Sequence, residues 1–475
     1  MNKIKIETID VQGVIIKGYA TLPACHFLLL GIKDTHNVKN WIKKVLPKVT
    51  SGDIKPVDSA LNIAFTFAGL KELGLPPESL ETFPLELEDG MTTPHKQLFL
   101  GDFGQSDPIH WTWGGKQHEQ VHILLMLYAA DETILNEMYL EHKKDIKDHG
   151  LSEIKLLETS VLNKRKEHFG FRDGIAQPTI EGLSRIDSPE NTVAAGEFIL
   201  GYKNSYDQYP ETPTVNELTG KDKILPVAPV TGMGDLGKNG TYLVFRQMEQ
   251  DVELFWRYME KATTVNGECD SSEMIKLASK IVGRWPGGSP ISVCPDKDDE
   301  LMQDKDDFGY HASDKEGLKC PIGSHIRRTN PRDTMDENLK VSIETANKHR
   351  LIRRGRSYGK PVCENLNPTD ILNSKNFEGE RGLYFICINT DISRQFEFIQ
   401  NAWVNNPKLF HLYDERDPLI GNNDHPEDKN KTGIFSIPAK GLRKRYTDLP
   451  QFVTVKGGAY FFVPGLKALS YLSSI

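Results

Sequence analysis

The sequence lacks any Cys-x-x-Cys pair. Its six cysteines stand at 25, 269, 294, 320, 363 and 387 of 475 residues. Scattered in this way they read as reduced, mostly buried thiols, which excludes a disulfide scaffold or zinc framework. No apolar run approaches the roughly 20 residues of a membrane-spanning helix, so no membrane partner is expected. No apolar core and small-residue cleavage site follow the lysines of the opening Met-Asn-Lys-Ile-Lys-Ile. That pattern predicts a cytoplasmic location. Long basic blocks are absent and the net charge is −8, so no nucleic-acid partner is expected. The one short basic run, Lys440–Arg445, reads as a solvated face. Low-complexity tracts and heptads are absent too.

What is present is the composition of a soluble globular protein, with 38% hydrophobic and 26% charged residues. The length exceeds one ordinary core, so two domains are expected, divided as 1–190 and 191–475. Val14–Ala20 and Phe27–Ile32 read as strands or one bent strand. Asn37–Leu46 has helical spacing, and Ala60–Phe67 is short and apolar. Gln120–Ala129 is a strand, Asp131 caps a helix from Glu132 to about Lys147, and Ile154–Leu162 is a further strand. Strand, helix, strand, strand, helix, strand is the split βαβ order of a ferredoxin-like α+β domain. After a polar segment over 204–239 the pattern recurs: strands at Thr241–Gln247, Gly382–Asn389 and Ala459–Val463, helices at Asp251–Ala262, Ser393–Val404 and Pro464–Leu472.

Three stretches carry chemistry. In Cys320–Arg332 one histidine, His325, stands among three arginines, with turn formers on both sides. A neutral imidazole is a common metal ligand, and arginines hold carboxylates with forked hydrogen bonds. A haem needs both an axial ligand and cations for its propionates. A loop histidine beside a solvated basic run has the same residues. In Gly170–Pro178 two glycines flank Asp173, an isolated acid suited to carrying a proton or to bonding its own turn. Arg350–Gly359 gathers four arginines, which must face anions or solvent.

Together these stretches resemble the dye-decolourising peroxidase family, most closely its large fungal-type subfamily. Gly-Phe-Arg-Asp-Gly matches the family's Gly-x-x-Asp-Gly signature. His-x-Arg-Arg-x-Asn-Pro-Arg matches the proximal histidine segment, and Arg-Arg-Gly-x-x-Tyr-Gly the distal arginine segment. Softer matches run through Gly196–Tyr202, Gly240–Gln247, Gly283-Arg284-Trp285, Gly382–Cys387 and Gly457–Phe462. The resemblance implies an α+β fold of two ferredoxin-like domains, of the dimeric α+β barrel type. Haem b would be held mainly by the second domain. It implies His325 as the axial iron ligand, Asp173 as the distal acid and Arg353 as the distal arginine. Leu383 and Phe385 would line the distal pocket, Arg332 and Arg327 would meet a propionate, and Asp417 would accept from the His325 ring. The implied activity is reduction of hydrogen peroxide through an oxoferryl state, with oxidation of dye-like aromatic donors and small phenols by a monomer or homodimer. Trp403 and Tyr358 are candidate surface electron carriers, Trp403 because polar amides surround it and Tyr358 because it follows Arg353 by little more than one helical turn; each also reads as an ordinary buried aromatic. The missing leader departs from the family's secreted members. Haem carriage or iron release is the competing reading, and a non-enzymatic scaffold whose basic loops bind an anionic partner is a third.

Overall fold

The computed structural model describes residues 4–183, 188–216, 224–423 and 433–475. Its frame, in chain order, begins with β1 (Ala24–Ile32), α1 (Thr35–Val45), β2 (Ser59–Phe65), β3 (Ile123–Ala129), α2 (Glu132–Asp148) and β4 (Leu151–Glu158). The second half contributes β5 (Thr241–Gln250), α3 (Val252–Thr263), α4 (Ser271–Val282), α5 (His325–Thr329), β6 (Ile352–Arg353), β7 (Arg356–Tyr358), β8 (Gly382–Asn389), β9 (Val453–Val463) and α6 (Leu466–Leu472).

These strands form one antiparallel nine-stranded sheet in the order β6-β8-β5-β9-β2-β3-β1-β4, with β7 also on β8. Each half therefore repeats one order: second strand, third, first, fourth. That is the ferredoxin-like arrangement, made twice. The halves join where Phe462 of β9 pairs with Phe65 of β2.

The sheet is covered on both faces, so its central strands are mostly apolar; β1 is buried at every residue. Successive side chains alternate between faces. Leu28, Leu30, Leu61, Ile63, Leu125 and Leu127 enter one core with Trp41 of α1 and Leu135 of α2. Phe27, Leu29, Ala60, Leu124 and Met126 enter the other, with Phe198 and Ile199. Asp34 and Asp131 start the two helices by accepting from Asn37 N and Ile134 N, at 3.1 and 2.9 Å.

One expected strand is absent. Val14–Ala20 holds a single helical turn, Gly13–Ile16. Val14 and Ile15 are buried, and an apolar run of that length does not distinguish a strand from a buried turn. The 204–239 segment carries only the short pair Thr214–Val215 with Gly234–Asp235, and its residues 217–223 lie outside the described ones. Among the described residues no helix is long and apolar enough to cross a membrane. All six cysteines are free thiols.

Candidate functional site

A cavity of about 280 Å³ is lined by residues within 100–106 and 167–176 of the first half and by residues of the second. It approaches the roughly 300–1,000 Å³ of ligand and cofactor sites. His325, Asp173, Arg353, Leu383, Phe385 and Arg332 all line it.

His325 is the first residue of α5. Ser324 precedes it in extended backbone, and its hydroxyl donates to Lys280 O at 2.5 Å, fixing the helix start against α4. The His325 ring meets the fully buried Asp417 through Nδ1, 2.9 Å from Oδ2. The other Asp417 oxygen accepts from Leu419 N and Ile420 N at 2.9 and 3.0 Å. Burial alone would push this carboxyl up. His325, Arg328 and the Ile420 N–H outweigh it and hold it below the usual aspartate value. An ionised Asp417 only accepts, so it assigns the proton to Nδ1 and leaves the Nε2 lone pair for the cavity.

The arginines beside His325 hold the helix. Arg328 is fully buried and donates to Trp403 O, Glu415 O and Asn406 O, at 2.9, 2.9 and 2.7 Å. It thereby ties α5 to the segment that carries Asp417. Arg327 does not reach the cavity, contrary to its expected role at a propionate. It donates to Cys320 O at 2.8 Å and Asp314 O at 3.0 Å, pairs with Asp314 and lies over the Tyr310 ring. Two helical residues are separated by about 200° around the axis, so Arg327 and His325 must point apart. Arg332 does line the cavity, but its guanidinium is held by Asp306 and by the Phe308 carbonyl.

Asp173 sits in a tightly tied loop. Gly170 has φ 96°, and a Cβ there would lie 2.7 Å from Leu366 O, so glycine is required. Glu167 accepts from Phe169 N at 2.9 Å, Phe171 N at 2.8 Å and Gln250 Nε2 at 2.5 Å, bracing the turn against β5. Arg353 Nη1 donates to Asp173 Oδ1 at 2.8 Å. Both side chains are a little over a third exposed or just under it, an exposure that opens onto the cavity they line. Burial would raise the Asp173 carboxyl, but Arg353, the Gly174 N–H and His325 overcome it and hold it below the usual value. Arg353 lies on an edge strand whose outward backbone is met by Gln177: Oε1 accepts from Arg353 N at 3.1 Å and Nε2 donates to Arg353 O at 3.3 Å. The neighbouring Arg354 turns away and bonds Val14 O and Ile15 O. Leu383 and Phe385 are alternate residues of β8 and share the cavity face.

Of the two readings of the candidate carriers, the structure has the buried one: neither is at the surface. Trp403 is 2% exposed, packed edge-on against His349 and Phe398 at 5.2 and 5.4 Å. Its polar neighbours Asn401 and Asn405 turn their amides to carbonyls of residues 99 and 100, so polar sequence around it did not mean solvent. Tyr358 is 5% exposed and stacks on Tyr384 at 4.5 Å. It belongs to β7 and lines no part of the cavity, because the chain from Arg353 is extended here rather than helical.

Sequence reasoning missed several lining residues. Arg284 lines the cavity and shares Asp306 with Arg332, so two guanidinium groups face one largely buried carboxylate. Burial lowers Arg284 to about 10, against the pull of Asp306. Its Gly283-Arg284-Trp285 setting was visible, but not its role. Arg246 and Asp102 form a buried ion pair on the cavity wall, with Arg246 Nε and Asp102 Oδ2 left without hydrogen-bond partners among the described residues. They are 144 residues apart, and nothing local links them.

The lining fits a flat iron porphyrin. Two histidines line the cavity, His325 with its Nδ1 on the Asp417 carboxylate and His349 with its Nδ1 on the Arg394 carbonyl, and among the described residues no group of three or more His, Cys, Asp or Glu side chains could hold a metal ion by itself. A metal at His325 would therefore take its other donors from a macrocycle. Ile326, Val282, Leu383, Phe385 and Ile399 supply apolar wall, and the excess positive charge of Arg284 and Arg332 suits acidic substituents.

No family model matches the chain. It is 27% identical over 490 residues to the dye-decolorizing peroxidase msp1 of Mycetinis scorodonius, covering 98% of this chain and 87% of that one. It is 28% identical over 488 residues to the dye-decolorizing peroxidase AauDyP1 of Auricularia auricula-judae, covering 98% and 86%. The crystal structure of a decolorizing peroxidase from Auricularia auricula-judae superposes with a TM-score of 0.77 at 25% identity, covering 99% of this chain and all of that one. The similarity to dye-decolourising peroxidases spans nearly the whole of both chains, in sequence and in fold.

Proposed function

We propose that the protein is a haem b peroxidase that reduces hydrogen peroxide and recovers the electrons from aromatic donors, both dye-like compounds and small phenols. The observation that carries this reading is a single cavity faced by a carboxylate-held imidazole and by a guanidinium–carboxylate pair. Haem, when bound, supplies the electrons that cleave the O–O bond. The protein supplies the rest. His325 Nε2 is the ligand, and Asp417 makes it more basic by holding the Nδ1 proton. Asp173, kept ionised, can take a proton from one peroxide oxygen and return it to the other. Arg353 sets a fixed positive charge beside that carboxylate, where negative charge develops on the departing oxygen. Leu383 and Phe385 narrow the space so that peroxide enters and a bulky dye does not. Arg332 and Arg284 would hold the propionates.

Haem carriage alone needs neither a proton carrier nor a guanidinium beside it. The full chain reconstituted with iron protoporphyrin IX should show a Soret band, consume peroxide and bleach an aromatic dye. A loaded protein that leaves peroxide unreacted would sink the peroxidase reading and leave haem carriage in its place.

A further inference from the structure

A second cleft lies outside the cavity, lined by Trp285, Pro286, Gly287, Lys297 and Asp298 among others. Arg172 is the one described residue that lines both spaces. It directly precedes Asp173. Its backbone is fixed, with N–H donating to Pro286 O at 3.1 Å. Its guanidinium is held at the outer end, by Gln303 Oε1 at 3.2 Å, Gly287 O at 3.4 Å and Asp304 Oδ1 at 2.6 Å. The Asp304 side chain is 74% exposed, whereas that of Arg172 is 15% exposed. An ion pair with one partner in water contributes little, so releasing it costs little. Apart from Arg172, the cleft's four lysines and arginines are matched by four carboxylates, which suits an uncharged visitor.

We propose that Arg172 is the gate between this outer cleft and the cavity, and that it determines which hydroperoxides reach Asp173. Hydrogen peroxide passes when the guanidinium swings off Asp304, and bulky organic hydroperoxides are held out. The proposal rests on the peroxidase reading but is tested apart from it. The haem-loaded full chain is mixed with cyanide or imidazole, and association is followed by the shift of the haem absorbance band. Arg172→Ala should speed imidazole association about tenfold and cyanide association less, because the open fraction sets the apparent rate. Asp304→Asn, on the exposed side, should speed imidazole about two- to fivefold. Added salt should have the same sign in the wild type. Arg172→Ala should also gain reaction with cumene hydroperoxide relative to hydrogen peroxide. Wild-type imidazole rates in both variants would overturn the gate and place ligand entry elsewhere. If Arg172→Ala loses haem, the Asp304→Asn rate decides alone. Faster imidazole binding in a protein inert to hydrogen peroxide would keep the gate and remove the peroxidase reading.

Discussion

Arg353 and Asp173, 180 residues apart, are joined at 2.8 Å by a bond from Nη1 to Oδ1. The pair links an edge strand of the second half to the last loop of the first. Asp173→Asn removes the proton carrier and should slow the peroxide reaction about 10²–10⁴-fold. Arg353→Leu removes the cation and should cost about 10²–10³-fold. Because the two act on one step, the double variant should lose less than the product of the singles. The pH dependence has a definite sign. The carboxylate is lost only as pH falls through a value held below the usual aspartate range. Without Arg353, burial prevails, so the acid limb of the surviving rate in Arg353→Leu should move to higher pH. Stopped-flow rates across the acid range decide this, and an unmoved limb would detach Asp173 from the titration.

His325 and Asp417 predict a graded series in haem retention. His325→Ala removes the only ligand this chain is proposed to offer and should abolish high-affinity uptake. Asp417→Asn keeps a neighbour but loses the charge that fixes the Nδ1 proton. A loss of about 10–100-fold in affinity or activity is expected, as for other partners of metal-bound histidines. Titration of the apo chain with haemin measures both. Full uptake by His325→Ala with an unchanged spectrum would remove His325 as ligand.

The apolar strands were legible because both faces of the sheet are covered: strands such as β1 and β3 are continuous hydrophobic runs in the sequence. Asp131 was legible as a cap because capping is local. Asp173, His325 and Arg353 could be found because each sits in a short motif with required glycines or arginines. Arg327 shows the limit: its motif position was right, but direction around a helix decides which arginine faces the cavity. Arg246–Asp102 and the Gln177 bracket on Arg353 join residues more than 140 positions apart, and no local pattern encodes such a pairing. Trp403 failed for a related reason, since the amides around it were satisfied by another segment's carbonyls.

Glu167 gives a stability prediction with the opposite sign to most carboxylates. Burial raises it to about 7, more than its hydrogen bonds lower it. An exposed glutamate in the unfolded chain titrates near ~4.3. The proton is thus bound more tightly in the fold. Stability from this group is fully present below about 4.3 and is lost as pH rises to about 7, by an amount on the order of 3–4 kcal/mol. Glu167→Gln cannot titrate. Its thermal midpoint should therefore rise relative to wild type between those pH values, whatever constant offset follows from the altered hydrogen bonds. A difference independent of pH would mean that Glu167 is ionised in the fold throughout.

Trp403 remains a testable electron carrier, now as a buried one. It packs against His349 at 5.2 Å, and His349 lines the cavity, so aromatic contact runs from the cavity wall to the indole. Tyr358 has no such contact: it stacks on Tyr384, away from the cavity lining. The structure thus separates two residues that the sequence treated alike. Trp403→Phe should reduce turnover of a bulky dye severalfold while the peroxide step stays at its wild-type rate, and Tyr358→Phe should change neither. Because Trp403 is core, its replacement should also lower stability by about 1 kcal/mol, a typical cost of a buried substitution. A small phenol serves as the internal control, since a merely loosened fold would slow both donors together. Dye turnover that persists in Trp403→Phe, with the phenol rate equally intact, would send the electrons of large donors by another path.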